Sequence, residues 1–149
     1  MILQQNTTFE NIKESDTLIV YHSCSTKKLK ERFKNNPDKN IHAGTLVQAL
    51  HRADYKINDE GLYKKSYVHE IHLKLSQVYP KLVKDDGKNS DSSMEDSYKS
   101  KWNILVYKNV GEGYIEDQNL SVIILNKDNI KKIKLHSEWD GKKLEEKLY

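Results

Sequence analysis

The chain has 149 residues, a length that suits one compact domain around a single hydrophobic core. Its 25 basic and 22 acidic residues leave a net charge of +3, which does not require a nucleic-acid partner, and Arg32 and Arg52 are its only arginines. The lone Cys24 excludes an internal disulfide, and no apolar run approaches the roughly 20 residues that span a bilayer, so we expect a cytoplasmic protein.

The first part of the chain predicts an arm, a strand and a helix. Residues 1–16 are mostly polar and are expected to form an N-terminal arm with a short amphipathic turn. A continuous apolar run over residues 17–22 predicts a buried strand that ends at a polar loop. Ser25 or Thr26 is expected to cap a helix that runs to about Phe33.

Two strands and a second helix are predicted in the middle of the chain. Residues 40–42 form a short strand that passes through Gly44 into a helix over about residues 45–55, where apolar side chains recur at helical spacing. Residues 67–75 alternate between two faces, which is typical of a half-buried strand. The order of elements so far is that of a mixed domain, because strands and helices alternate without a repeat.

The remainder of the chain predicts a long loop followed by strands. Residues 84–100 are nearly all Asp, Lys, Ser, Asn and Gly, and this composition predicts a mobile loop. Residues 103–107 and 121–125 predict two core strands, and a last short turn and strand follow over residues 130–135. Residues 136–149 are expected to form a charged C-terminal tail. The whole chain is therefore expected to be one α+β domain.

Several short segments stand in a recognisable order. Residues 21–23 (Tyr-His-Ser) follow the first strand, and residues 41–45 (Ile-His-Ala-Gly-Thr) open a helix; together they resemble the start of ADP-ribosyltransferase-like domains. The strings at 66–71, 104–109 and 121–131 resemble the family's middle strand, its strand followed by a tyrosine and an asparagine, and its closing strand with a trailing turn. The resemblance spans nearly the whole chain and implies a split, mostly antiparallel β-core with two or three flanking helices.

This resemblance implies that NAD is the substrate. Cleavage of the bond between nicotinamide and ribose builds positive charge on the ribose, so the family needs a pocket for the dinucleotide and a carboxylate near the cation. His22 would bond a ribose hydroxyl, backbone groups of Ser23 would hold the nicotinamide carboxamide, and Gly44 would let backbone amides approach the ligand at a helix N-terminus. The NAD-binding residues implied in this way are His22, Ser23, Ser25, His42, Gly44 and Thr45.

The catalytic carboxylate is expected just before the last core strand, where the chain offers three acids. We favour Glu116, which would stabilise the ribosyl cation and orient or deprotonate the acceptor, with Asp117 and Glu112 as the alternatives. Tyr114 stands where arginine-modifying members tend to carry Gln or Glu, so arginine is a less favoured acceptor. The same acids also fit a solvated loop.

Three functions follow as hypotheses. Small proteins of this appearance are common in bacteriophages and bacteria, so the first is an NAD-dependent ADP-ribosyltransferase with which a phage modifies a host or defence protein in the host cytoplasm. The second is a catalytically inactive module of the same fold that inhibits a protein partner by binding or sequesters a nucleotide, because residues 42–45 (His-Ala-Gly-Thr) depart from the Tyr or Ser-Thr-Ser pattern of familiar transferases. The third is a nucleic-acid-binding accessory protein that uses its lysines. No metal site is expected, since the histidines lack the spacing of zinc ligands.

Overall fold

A computed structural model describes residues 1–59, 61, 64–84, 92–109 and 119–140. These residues form one α+β domain with two β-sheets and four α-helices. The strands are β1 (Thr17–Cys24), β2 (Ile41–Ala43), β3 (Ser66–Lys74), β4 (Val78–Val83), β5 (Ile104–Lys108), β6 (Leu120–Ile124) and β7 (Ile130–Trp139). The helices are α1 (Phe9–Glu14), α2 (Leu29–Asn35), α3 (Leu46–Asp54) and α4 (Ser92–Asp96), with a π-helical turn (Tyr55–Asp59) after α3 and a 3₁₀ turn (Lys127–Asn129) before β7. Within the described ranges no helix is long and apolar enough to cross a membrane.

The strands divide into two sheets. One sheet has the order β1-β3-β7 and is antiparallel throughout. The other has the order β2-β6-β5-β4 and is antiparallel except for the parallel pair β4 and β5. The expected single α+β domain with a mostly antiparallel, divided β-core is therefore confirmed, and the described residues contain four helices where two or three were expected.

Side chains of β1 alternate between two apolar clusters. Leu18 and Val20 lie in the main core, which β1 and β3 share with apolar residues of β2, β5 and β6. Ile19 and Tyr21 point the other way, into a second cluster that includes Leu50 of α3. Because both faces of β1 are covered, its sequence is a continuous apolar run rather than an alternating one.

Helix α2 begins later than the sequence predicts. Its N-cap is Lys28, whose side chain makes no capping hydrogen bond, so the expected caps Ser25 and Thr26 lie in the loop before it. The carbonyl oxygen of Thr26 accepts hydrogen bonds from Cys24 Sγ at 3.3 Å and from His69 Nε2 at 2.8 Å. These two bonds hold the loop in a non-helical path and delay the start of the helix.

Strand β4 has no counterpart among the predicted elements. It contains Pro80, which cannot donate a backbone hydrogen bond and is tolerated in edge strands. The structure places β4 at the edge of its sheet, and the register against β5 shifts between Val78 and Leu82. The proline therefore accounts both for the weak strand signal in the sequence and for the irregular pairing.

The structure also differs from the loop and tail expected over residues 84–100 and 136–149. Helix α4 lies inside the first span. It packs on the fold through Glu95, which is 2% exposed and has polar partners that the composition of the segment does not reveal. Strand β7 continues to Trp139, where the indole is buried beneath α3 while charged neighbours remain exposed. Residues 85–91 and 141–149 lie outside the described residues.

The two sheets are joined where Tyr21 of β1 meets Gly44, the residue after β2. The Tyr21 amide donates to the Gly44 carbonyl at 2.8 Å, and the Gly44 amide donates back to the Tyr21 carbonyl at 2.9 Å. A Cβ at Gly44 would lie 2.0 Å from Gln48 Oε1 and 3.0 Å from Ser121 Oγ. Gln48 is 1% exposed, and its Oε1 accepts from the Thr45 amide and from Ser121 Oγ, so it has little room to withdraw.

We expect Gly44→Ala to lower the free energy of unfolding by roughly 1–3 kcal/mol, because the new methyl group must displace the Gln48 amide from its buried hydrogen bonds. Urea unfolding of the single variants Gly44→Ala and Gln48→Ala and of the double variant measures the coupling. The double variant should lose less stability than the sum of the two losses, because the alanine at 48 removes the clash. Strictly additive losses would contradict this account of Gly44.

Candidate functional site

His22 lies near the end of β1 and contacts the backbone of β2. Its Nδ1 is 2.6 Å from the carbonyl oxygen of His42. A carbonyl oxygen only accepts, so the proton sits on Nδ1 and Nε2 is left as the acceptor nitrogen of the neutral ring. This tautomer suits a ring that receives a hydrogen bond from a ligand hydroxyl.

His22 is neutral at physiological pH. Burial lowers its pKa from 6.5 to about 4; the bond to the His42 carbonyl opposes this shift, and the nearby His69, Arg32 and Arg52 add to it. On the facing strand His69 pairs with His22 and is 1% exposed, and burial lowers its pKa as well. Two neutral imidazoles therefore occupy neighbouring positions of the same sheet.

The side chain of His42 faces a different part of the molecule from His22. Alternation along β2 sends Ile41 and Ala43 into the main core, whereas the His42 ring lies against Tyr107 at a centroid distance of 6.1 Å. His42 Nε2 is 2.7 Å from Glu95 Oε1 of α4. The structure thus brings the His22 ring to the His42 backbone and does not bring the two imidazoles together.

Glu95 is a buried carboxylate that the sequence pattern does not reveal. Its second oxygen, Oε2, accepts a hydrogen bond from Asn40 Nδ2 at 2.8 Å. The two partners flank Ile41, so a single side chain of α4 bonds to side chains on both sides of the first residue of β2. The charged composition around residue 95 gave no signal of burial, because an acid in a polar run is ordinarily solvated.

Ser23 and Ser25 occupy unlike positions after His22. Ser23 is 7% exposed and belongs to β1, whereas Ser25 is exposed in the loop that follows. That loop is held at Thr26, whose carbonyl accepts from both Cys24 and His69. The backbone around Ser23 is therefore fixed by the sheet, and the path of the chain beyond it is fixed by two side-chain donors.

Gly44 and Thr45 lie at the start of α3, but their polar groups already have partners. Thr45 is 2% exposed, and its hydroxyl accepts from the Gln48 amide at 3.1 Å while its own amide donates to Gln48 Oε1 at 2.9 Å. Thr45 and Gln48 thereby form a capping box. The space that the missing side chain of Gly44 creates is filled by Gln48 from inside the protein.

Glu112, Glu116 and Asp117 lie outside the described residues, within the segment 110–118 between β5 and β6. The structure describes the residues on either side of this segment, Asn109 and Asn119. The Asn109 amide donates to the Asn119 carbonyl at 2.9 Å, and the same carbonyl accepts from Gln48 Nε2 at 3.3 Å. Asn109 Nδ2 also donates to Ser121 Oγ, which donates to Gln48. Asn109 and Asn119, the described residues on either side of the acid-bearing segment, therefore meet beside Gln48.

A metal centre has no support in the part of the chain that the structure describes. There, no group of three or more His, Cys, Asp or Glu side chains is arranged to hold a metal ion. Cys24 is buried beside Arg32, and burial raises the pKa of its thiol. A raised pKa makes the thiolate less accessible at neutral pH, which argues against a nucleophilic role for this cysteine.

Comparisons with protein-family models, with curated proteins and with solved structures give no match to this chain.

Stability should fall as the pH drops from about 6.5 towards 4, because His22 accepts a proton in the unfolded chain over this range and resists it in the folded one. The contribution of the neutral His22 ring to the free energy of unfolding is fully present above pH 6.5. Up to about 3 kcal/mol of it is lost as the pH falls through the folded-state pKa. Residue-specific NMR titration of the imidazole checks the pKa directly. Urea unfolding of His22→Gln should show a weaker pH dependence in that window, and an unchanged dependence would contradict the assignment.

Glu95→Ala should lower the free energy of unfolding by roughly 1–3 kcal/mol, because it removes a buried carboxylate that accepts hydrogen bonds from His42 and Asn40. Glu14→Ala is the matched control, since that acid is exposed at the end of α1 and should change stability by less than about 0.5 kcal/mol. Chemical denaturation measures both. Equal effects of the two substitutions would show that the contacts of Glu95 with His42 and Asn40 do not hold α4 on the fold.

Proposed function

We propose that the chain is an NAD-dependent ADP-ribosyltransferase whose acceptor is a protein. The observation that carries this proposal is the convergence of three segments at the joint between the sheets. The end of β1 supplies the neutral His22 ring, Gly44 pairs with Tyr21, and Asn109 and Asn119 tie the acid-bearing segment to Gln48. We propose that NAD binds near this joint, with His22 as a hydrogen-bond acceptor for its ribose and an acid of residues 110–118 as the catalytic group.

The protonation state of His22 suits the recognition of ribose. With Nδ1 committed to the His42 carbonyl, Nε2 is left to accept a hydrogen bond from a sugar hydroxyl. A neutral ring also adds no positive charge beside a ribosyl cation, whose formation a protonated imidazole would oppose. The lowered pKa of His22 keeps this state across the physiological range.

The acid is the group that would lower the barrier. In the proposed reaction the bond between the ribose carbon and the nicotinamide nitrogen breaks, and nicotinamide leaves with the bonding electron pair. The acceptor attacks the same carbon and gives up its proton to a carboxylate or to water. We favour Glu116 for this role, with Glu112 and Asp117 as alternatives from the same segment. A host or defence protein is the proposed source of the acceptor, as expected for a phage effector.

The second candidate function is a catalytically inactive module on the same framework, which binds a protein partner or sequesters a nucleotide. It is favoured by the start of α3, where Gln48 fills the space at Gly44 and occupies both the amide and the hydroxyl of Thr45. A pyrophosphate would find these groups already engaged. The two candidates differ in whether label is transferred from NAD, so one assay separates them.

Incubation of the wild-type chain with NAD labelled in its adenylate part and with bacterial lysate should transfer label to protein. One of the variants Glu116→Gln, Glu112→Gln and Asp117→Asn should reduce the rate by at least about 100-fold, because it removes the charge that stabilises the cation. His22→Ala should weaken NAD binding in calorimetry, whereas the acid variants should keep it.

Glu14→Gln, at the end of α1, is the matched control and should label at the wild-type rate. Binding of NAD without any transfer by the wild type would favour the inactive module. The absence of both binding and transfer would overturn the proposal.

A further inference from the structure

We propose that the outer edge of β7 is a docking site for an extended acidic segment of a partner protein, which adds to the sheet as a further strand. This surface includes His69, the strand neighbour of His22, but the proposal does not depend on transferase activity. It rests on the position of β7, on an open groove beside it and on the charges around both.

β7 is a long strand at the edge of its sheet. It pairs with β3 over most of Ile130–Trp139, and within the described ranges no other strand adjoins it. The register shifts near its two ends, between His72 and Leu73 and between Val68 and His69 of β3, so the stretch 132–135 in between is regular. An edge of this kind offers backbone donors and acceptors that a further strand satisfies.

An open groove of about 370 Å³ runs beside this edge. We call it the edge groove; it is lined by residues 27–31, His69, Ile133 and Leu135. Ile133 and Leu135 are partly buried and form its apolar floor, while the lysines that precede and begin α2 stand along its rim. A strand added to β7 would direct every second side chain towards this floor, because cross-strand neighbours share a face.

The charged side chains around the edge groove indicate that an acidic partner segment fits it. Residues 27–31 and β7 together carry six lysines and two glutamates. One of these glutamates, Glu138, is 3.1 Å from Lys27 Nζ, and the other, Glu31, is 3.9 Å from Lys28 Nζ. Lys132 and Lys134 lie on the face of β7 opposite the floor, where the alternate side chains of an added strand would meet them. The complementary segment has apolar residues on one face and carboxylates on the other.

Two other occupants fit this surface less well. A second copy of β7, paired parallel in register or antiparallel about Ile133, would bring lysines opposite lysines, which destabilises a strand pair. Single-stranded nucleic acid is held by aromatic stacking together with a basic groove, whereas Trp139 is the sole Phe, Tyr or Trp in residues 27–31 and β7 and is 5% exposed. Lysine also serves to protect edge strands from self-pairing, but that role does not require an apolar groove beside the strand.

The test uses the full chain and a fluorescent peptide of alternating Glu and Val, about ten residues long, with a Lys-Val peptide of the same length as the comparison. Fluorescence anisotropy should show binding of the acidic peptide and none of the basic one. Amide shifts in NMR spectra should concentrate on residues 131–136. Lys132→Glu with Lys134→Glu, and separately Leu135→Glu, should each weaken binding by at least about tenfold.

Lys81→Glu is the control, because Lys81 is an exposed lysine of β4, the edge strand of the other sheet; it should leave the affinity within about twofold. Circular dichroism establishes that each variant is folded. The proposal is overturned if both peptides bind equally, if the shifts map away from β7, or if Lys81→Glu weakens binding as much as the β7 variants do. Preferential binding of a thymidine oligonucleotide through the same lysines would assign the surface to nucleic acid instead.

Discussion

The contact between Tyr21 and Gly44 is the constraint on which the arrangement of the two sheets depends. β1 belongs to one sheet and Gly44 follows a strand of the other, and their backbones approach closely enough to exchange two hydrogen bonds. The approach is possible because Gln48 occupies the space that a side chain at Gly44 would need. Gln48 in turn bonds to Ser121 and to the Asn119 carbonyl, so the joint, the start of α3 and the end of the acid-bearing segment share one set of buried polar contacts.

A second buried polar contact reaches the candidate site from the opposite side of the second sheet. Glu95 bonds to His42 and Asn40, and the carbonyl of His42 fixes the tautomer of His22. Taking a carboxylate out of water is costly unless hydrogen bonds replace its hydration, and here both oxygens have donors. The docking of α4 and the orientation of the His22 ring are thereby connected through one short strand.

The sequence was informative where burial follows from local pattern. The run at 17–22 and the spacing along residues 45–55 identified β1 and α3, because apolar periodicity records which faces are covered. Thr45 was placed correctly at the start of the helix, but its capping box with Gln48 was not foreseen. β4 was missed because Pro80 interrupts the pattern of an edge strand. α4 was missed because a buried acid with two distant partners looks the same in sequence as a solvated one.

The same reasoning explains which part of the candidate site was found. His22 was identified from its position after an apolar strand, whereas its contact with the His42 backbone depends on how two sheets meet. The side chains of His22 and His42 point in different directions because of the alternation along β1 and β2. That difference can be seen only once the register of both strands is known.

The alternation along β1 also limits how the length of this protein can change during evolution. Inserting or deleting one residue between Thr17 and Cys24 would exchange the two faces downstream, moving Val20 towards α3 and Tyr21 into the main core. Because both faces of β1 are packed, a shift of one residue within the strand would disrupt both apolar clusters. A change of one residue in length is therefore disfavoured within β1, and we expect the spacing from Leu18 to His22 to be kept in any descendant with this fold.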